Sequence, residues 1–487
     1  MNEREQAKTR GDGATQRRAS GRRSSRSASN ARRYNAGQSK PDRSVVAVPG
    51  RFVGLDAHKR QVTVCILDAA GEVVQERSLP LVEAGWHLLL EMLQPQDQVA
   101  LEATTHCWEL ARRLEPHVAR VVVSNPLLTR AIAHAKVKTD RVDARVLAHL
   151  LRLEYLPAVW HPDETTLQLR QLSARREALV GQRTALRNRI HSVLAMRLLV
   201  PPFGLFTQKG QAWLQELLES EALDEDARLM LQSDLRLLQA VQEQIERLEQ
   251  RLAEVSYPEE SIRLLMTLPG VDLVVAVSLW AAIGDIRRFP SPDHLASYLG
   301  LVPSTRQSAD RCHHGPITKR GRSQARWMVI QAAQQAARHP GPLGHFFRRL
   351  KRRKGHNVAV VATARKLVTI AWHILTKREP YRYAVPRSTE AKLARLRVRA
   401  TGERRRGGVP KGQKATAKRP GGSRTIKSLD RVYASEGLPP REPLPAGEQR
   451  MLRSRRLTPF VESLGHDHIL PRRDDSAEKA KKRPTPS

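Results

Sequence analysis

Four carboxylates are the residues of this chain whose types and spacing could do chemistry. Asp140 and Asp143 stand in Lys138-Thr139-Asp140-Arg141-Val142-Asp143, ahead of Val142, Val146 and Leu150 with Leu147 and Leu151 at helical spacing. That spacing predicts a helix whose first turn carries both acids on one face. A plain helix start is the alternative from these residues alone, because first-turn acids complement the dipole and Thr139 can cap. Asp56, in Gly54-Leu55-Asp56-Ala57-His58-Lys59, and Glu102, in Leu101-Glu102-Ala103-Thr104, are two further acids, each at the end of a β-prone run. Hard oxygen ligands gathered in one place hold one or two Mg²⁺ ions, and two ions about 4 Å apart can activate an attacking oxygen and stabilise a leaving one in phosphodiester chemistry. Lys59 and Lys138 flank the acids and could contact phosphate, against the plain reading of solvated surface lysine.

The elements that must position these acids follow from periodicity. Residues 52–55, 62–67 and 72–79 are short β-prone runs separated by turn residues, which predicts an antiparallel meander. A helix over 82–93, a strand over 98–101 ending at Glu102, a helix over 105–114, a strand over 119–123 and the helix carrying Asp140 and Asp143 complete the series. Three adjacent strands followed by alternating helix and strand is the order of the ribonuclease H-like fold, a mixed sheet with helices on its faces. In that order the ends of the first and fourth strands lie side by side and the last helix crosses the same edge, so the four acids converge.

Residues 167–199 and 217–255 read as long helices interrupted at Pro201-Pro202-Phe203-Gly204. Leu231, Leu235, Leu238, Val241, Ile245, Leu248 and Leu252 make a near-heptad stripe, which suits a helical hairpin spacer or a dimerising coiled coil. Arg175, Arg176, Arg183, Arg187 and Arg189 could line a nucleic-acid path or form a solvated face. Leu268-Pro269-Gly270-Val271, between two apolar runs, resembles the turn of a helix-hairpin-helix, whose amides can grip a phosphate. A polar basic loop over 304–311 contains Ser304 and Ser308. A serine attacks a phosphodiester only when its hydroxyl is activated and the displaced charge neutralised, and Arg306, Arg311, Lys319 and Arg320 supply cations nearby. Helices over 323–338, 346–351 and 358–376 close the helical part.

The 487 residues carry a formal net charge of +35 and a pI of about 11.1. Residues 1–50 contribute +8 and residues 384–487 contribute +15, which leaves +12 for the centre. Such charge is the footprint of a protein that handles polyanions, nucleic acid first. Three scattered cysteines make no disulfide framework, and no apolar run of membrane-spanning length stands out, so a reducing cytoplasm without a membrane is expected. The division implied is a disordered basic tail over 1–50, a catalytic α/β domain over 51–160, a coiled-coil linker over 161–257, a helical domain over 258–383 and a second disordered basic tail over 384–487.

The motifs quoted above, with Tyr298-Leu299-Gly300-Leu301-Val302-Pro303, occur in the order found in the DEDD-type insertion-sequence transposases and their Piv-type invertase relatives. The resemblance runs from about Phe52 to Thr376. It implies a RuvC-like N-terminal domain whose tetrad, on Asp56, Glu102, Asp140 and Asp143, binds Mg²⁺ or Mn²⁺, and a C-terminal transposase domain with a nucleophilic serine on Ser308. Many members have a Ser-Gly pair there, whereas Ser308 is followed by Ala309-Asp310. It further implies DNA cleavage and rejoining through a serine-phosphate intermediate, homodimers or homotetramers, and a structured non-coding guide RNA that pairs with DNA while the protein reads backbone and shape. Two other functions fit the residues: a RuvC-like junction resolvase using metal-activated water, and a non-catalytic nucleic-acid binder, the latter insensitive to Mg²⁺.

Overall fold

Alternation along one strand decides which side of the sheet each residue serves. In the computed structural model, which describes residues 50–132, 139–308, 311–404 and 424–470, β1 (Phe52–Ala57) pairs antiparallel with β2 (Gln61–Leu67), and β2 with β3 (Val73–Pro80). After α1 (Glu83–Met92), β4 (Gln98–Glu102) lies parallel beside β1. After α2 (Cys107–Leu114), β5 (Arg120–Ser124) lies parallel beside β4, which gives the order β3-β2-β1-β4-β5. Helices α3 (Pro126–Ile132) and α4 (Asp140–Arg152) follow. This is a ribonuclease H-like mixed sheet, as the element order predicts, with α3 as an added helix.

Val53, Leu55, Ala57, Val99 and Leu101 face α1 and α2, packing with Leu89, Leu110 and Leu114. The intervening positions face α4. There Ala144 and Ala148 pack on Cys65 and Leu67, and Leu147 and Leu151 on Ala100 and Val122. A Cβ added to Gly54 would stand 1.9 Å from the Ala144 carbonyl oxygen and 2.7 Å from the Ala148 nitrogen. Glycine at 54 and alanine at 144 and 148 therefore let helix backbone lie directly on strand backbone. Arg51 pins the start of β1 to that of β4: its Nε and Nη2 donate to the two oxygens of fully buried Asp97 at 3.0 and 2.8 Å.

Helices α5 (Glu164–Ala195) and α7 (Glu225–Ser256) pack as an antiparallel hairpin, with α6 (Gln208–Glu219) at the tip. Leu231, Ile245 and Leu252 of the heptad stripe are buried within the chain. Arg176 reaches Glu249 at 2.5 Å, Arg183 reaches Gln242 at 3.1 Å and Arg189 reaches Asp234 at 2.6 Å. Those three arginines thus bond across the hairpin rather than lining an open path or a purely solvated face. The run 217–255 is two helices, because Asp224 starts α7 by accepting from the Ala227 amide at 2.7 Å.

The helical part comprises α8 (Glu260–Leu265), α9 (Leu273–Ile283), a 3₁₀ turn (Ile286–Arg288), α10 (Pro292–Tyr298), the strands β6 (Pro303–Ser308) and β7 (Arg311–Ile317), α11 (Ser323–Ala336), α12 (Pro342–Lys354) and α13 (His356–Lys377). By length and composition α13 could cross a membrane, but Ala364, Leu367, Val368 and Ala371 bury it in the helical core. Lys392 donates to the carbonyls of Leu268 and Val271 at 2.8 and 3.0 Å, while Asp272 caps α9 by accepting from Val275 N at 3.0 Å. The Leu268–Val271 turn is braced from within the fold.

Two expectations are corrected. The stretch over 304–311 belongs to an antiparallel hairpin, β6–β7, rather than a loop; its strands are polar on both sides, so no apolar alternation announces them. Beyond residue 384 the chain continues into α14 (Pro386–Thr401), β8 (Arg424–Ile426), α15 (Leu429–Ser435), α16 (Ala446–Ser454), α17 (Thr458–Ser463) and β9 (His468–Leu470). Sparse anchors among the Arg and Pro hold this segment to the core: Leu393, Leu429, Leu452 and fully buried Tyr433, whose hydroxyl donates to the Tyr381 carbonyl at 2.7 Å. Average composition hides such anchors. The described residues all belong to one unit. The basic segment 1–49, Lys138, residues 309–310 after Ser308, and 405–423 and 471–487 of the C-terminal stretch lie outside the described residues.

Candidate functional site

Strand parity builds the site. Asp56 stands two residues after Gly54 and Glu102 two after Ala100, so both carboxylates emerge on the α4 face of neighbouring parallel strands, with Leu55 paired to Leu101 just before them. Thr139 caps α4 by accepting from Val142 N at 3.3 Å, which fixes where the helix starts and places Asp140 and Asp143 in its first turn. The capping reading of that stretch holds, and the cap sets where both acids leave the helix.

His58, two residues beyond Asp56, opens the hairpin loop between β1 and β2. Its Nε2 lies 3.3 Å from Asp56 Oδ2 and 3.2 Å from Asp140 Oδ1. Gln61 Nε2 donates to the other Asp140 oxygen at 3.0 Å. Ligand atoms of Asp56, His58 and Asp140 all lie within 4.8 Å of one another. Asp56 is 6% exposed. Burial pushes its carboxyl above the usual range; His58 opposes that, and Asp140, Asp143 and Glu102 add to it. The other three acids therefore each act electrostatically on Asp56.

Two unit charges about 4 Å apart repel by roughly 4 kcal/mol at an effective dielectric near 20, and one imidazole cannot offset four carboxylates. The donor set, hard oxygens plus one borderline nitrogen, fits a divalent cation. Sequence reasoning assigned no role to His58 or Gln61. The available signal was parity, which puts residue 58 on the same side as 56.

The remaining candidates are carried by the β1–β2 loop, the β6–β7 hairpin and the loop after it. Lys59 is exposed in the β1–β2 loop. Ser308 ends β6, its backbone in register with Arg311, and Arg306 pairs with His313 across the hairpin. Arg306 and Arg311 are exposed, as are Lys319, at φ 54°, and Arg320, in the loop that follows β7.

Two family models match this chain: a DEDD-type transposase model of the IS110 kind over residues 53–196, and the transposase IS116/IS110/IS902 family over residues 262–348. The chain is 30% identical over 255 residues to the transposase for insertion sequence element IS1111A of Coxiella burnetii, covering 50% of this chain and 68% of that protein. It is 26% identical over 286 residues to the transposase for insertion sequence element IS1328 of Yersinia enterocolitica, covering 57% and 84%. The pilin gene-inverting protein of Moraxella bovis is 26% identical over 349 residues, covering 68% of this chain and 97% of its own.

Proposed function

The chain belongs to the IS116/IS110/IS902 transposase family and is a DNA transposase, and from that premise we propose which residues cut and rejoin DNA. Asp56, Glu102, Asp140 and Asp143, with His58 alongside, hold a divalent ion, Mg²⁺ or Mn²⁺. When bound, that ion supplies positive charge at the scissile phosphate and at the departing oxygen. Buried Asp56 keeps bulk water from the inner side of the cluster. The Ser308 hydroxyl oxygen attacks phosphorus and its proton passes to solvent, the bond from phosphorus to the departing strand's oxygen breaks, that oxygen keeps the bond pair and takes a proton from solvent, and a serine phosphodiester forms. Attack by a hydroxyl of the other DNA end reverses the step and rejoins the strand.

The observation that carries this reading is the convergence of three acids, Glu102, Asp140 and Asp143, distant in sequence, on Asp56. The acids and Ser308 stand on different parts of the chain, which supports a dimer or tetramer in which one protomer's acids serve another's serine. Arg306, Arg311, Lys319 and Arg320, with Lys59 and Lys138, contact backbone phosphate. A structured non-coding RNA supplies sequence choice in the cytoplasm, in keeping with a charge of +35.

The test is trapping. With Mg²⁺ and DNA carrying the element's ends, the full chain should form a covalent protein–DNA adduct that vanishes in Ser308→Ala and persists in Ser304→Ala. Strand cleavage by Ser308→Ala at the parental rate would mean that metal-activated water is the nucleophile. Loss of the adduct only in Ser304→Ala would move the role to that serine.

A further inference from the structure

Three guanidiniums crowd one phenol at the foot of the β6–β7 hairpin. Arg170 comes from α5, Arg288 from the 3₁₀ turn and Arg322 from the residue that starts α11, while Tyr298 ends α10. Arg288 lies 4.4 Å over the Trp160 ring and 5.0 Å over Tyr298, and Arg170 lies 5.6 Å over Trp160. Arg170 Nε donates to the Ala281 carbonyl at 2.7 Å and Arg288 Nη1 to the Ile283 carbonyl at 2.9 Å. Arg288 and Arg322 both act electrostatically on the Tyr298 phenol.

Two glycines set this arrangement against the basic loop. Gly321, at φ 72°, would carry a Cβ 1.9 Å from the Tyr298 carbonyl oxygen, and Gly300, at φ 66°, one 2.4 Å from that of Arg320. Backbone therefore lies on backbone, and the loop bearing Lys319 and Arg320 is held to the end of α10.

Asp163 acts on Arg170 and Asp285 on Arg288 through space, but each carboxylate has its hydrogen bonds elsewhere. Asp163 caps α5 by accepting from Thr166 N at 2.7 Å, and Asp285 pairs with Arg287 at 2.9 Å. Among the described residues none of Arg170, Arg288 and Arg322 forms a carboxylate ion pair. Burial, then Arg322 and Arg288, push the Arg170 guanidinium down to about 10, still charged at neutral pH. Burial alone would raise the Tyr298 phenol, but Arg288 and Arg322 together outweigh it and hold it below the ordinary tyrosine range. Like charges fixed this close repel unless an anion joins them. Guanidinium forks match phosphate oxygens two at a time, and exposed Arg322 leaves the cluster open on the loop side.

We propose that Arg170, Arg288 and Arg322, with the Tyr298 hydroxyl, clamp one backbone phosphate of the DNA strand presented to the β6–β7 hairpin. The choice of DNA rests on the transposase reading; the phosphate chemistry does not.

Binding of a duplex DNA by the full chain is measured across a KCl series in EDTA, so that no cleavage occurs. Arg322→Gln should lower the slope of log K against log salt by about 0.9, the value of one phosphate, which is roughly a 3-fold smaller loss of affinity between 50 and 200 mM. Inorganic pyrophosphate at constant ionic strength should raise the melting temperature of the parent chain more than that of Arg322→Gln. Arg170→Gln repeats both measurements should the first variant fold poorly. An unchanged slope in a variant that melts like the parent overturns the proposal, as does equal stabilisation by pyrophosphate. A single-stranded RNA of equal length is run in parallel: a slope change with DNA supports the assignment, and one confined to RNA overturns it. Because the readout needs neither metal nor Ser308, failure of the cleavage chemistry and failure of the clamp give different results.

Discussion

The acids around Asp56 and the arginines around Tyr298 are both clusters of like charge, yet opposite means hold them. The acids are fixed by backbone: two neighbouring strands and a capped helix start, with Gly54 letting α4 lie on β1. The arginines are long side chains arriving from three separate elements, steadied by aromatic faces and by the carbonyls of Ala281 and Ile283. A carboxylate has a short stem, so its position is set by the element that bears it. A guanidinium has a long one and needs partners along its length. The first cluster suits a small ion that demands tight geometry; the second suits a phosphate that arrives with a flexible polymer.

The sharpest way to break this comparison is to remove charge from the acid side. Asp56→Asn should lower metal-dependent DNA cleavage by at least about 10²-fold, the usual scale for losing one preorganised electrostatic group. The metal-free melting temperature of the same variant should rise, because a carboxylate disfavoured by burial and three other acids is gone. A fall in both quantities would show that Asp56 is a structural group.

Next in size is the backbone contact itself. Gly54→Ala should cost about 1–3 kcal/mol in urea denaturation, as overpacking does, and should also lower cleavage, since α4 carries Asp140 and Asp143 away with it. Full stability would mean that the helix can withdraw from the strand and that backbone contact does not set the acids' geometry.

The smallest effect belongs to the cationic side. Tyr298 has its phenol held below the ordinary range in the folded chain, so the stability it contributes is fully present above the unfolded value near 10 and is lost as pH falls through the folded value. The melting-temperature gap between the parent and Tyr298→Phe should therefore widen as pH rises toward 10. A gap independent of pH would show that the arginines do not act on the phenol.

Much of the α/β part was legible in the sequence because its signals are local. Apolar alternation in 52–57 and 62–67, glycine two residues before Asp56 and a capping threonine before Asp140 each act within a few residues. The β6–β7 hairpin and the helices beyond 384 were not legible, for the first is polar on both sides and the second rests on scattered anchors such as Tyr433. The arginines of α5 were ambiguous as a row. Three of them bond across to α7, while Arg170, nearer the start of the same helix, joins Trp160, Arg288, Arg322 and Tyr298.

The sequence by itself determined the carriers: which acids end which strands, where the helix bearing Asp140 begins, and that the molecule is strongly cationic. Strand period and helix caps are short-range physics, and short-range physics can be read from neighbours. Tertiary structure alone decided that His58 bridges Asp56 and Asp140 and that guanidiniums from α5, the 3₁₀ turn and α11 meet at one phenol. Those meetings depend on how closely backbones can approach at Gly54, Gly300 and Gly321, a property of the packed chain that no single stretch of residues contains.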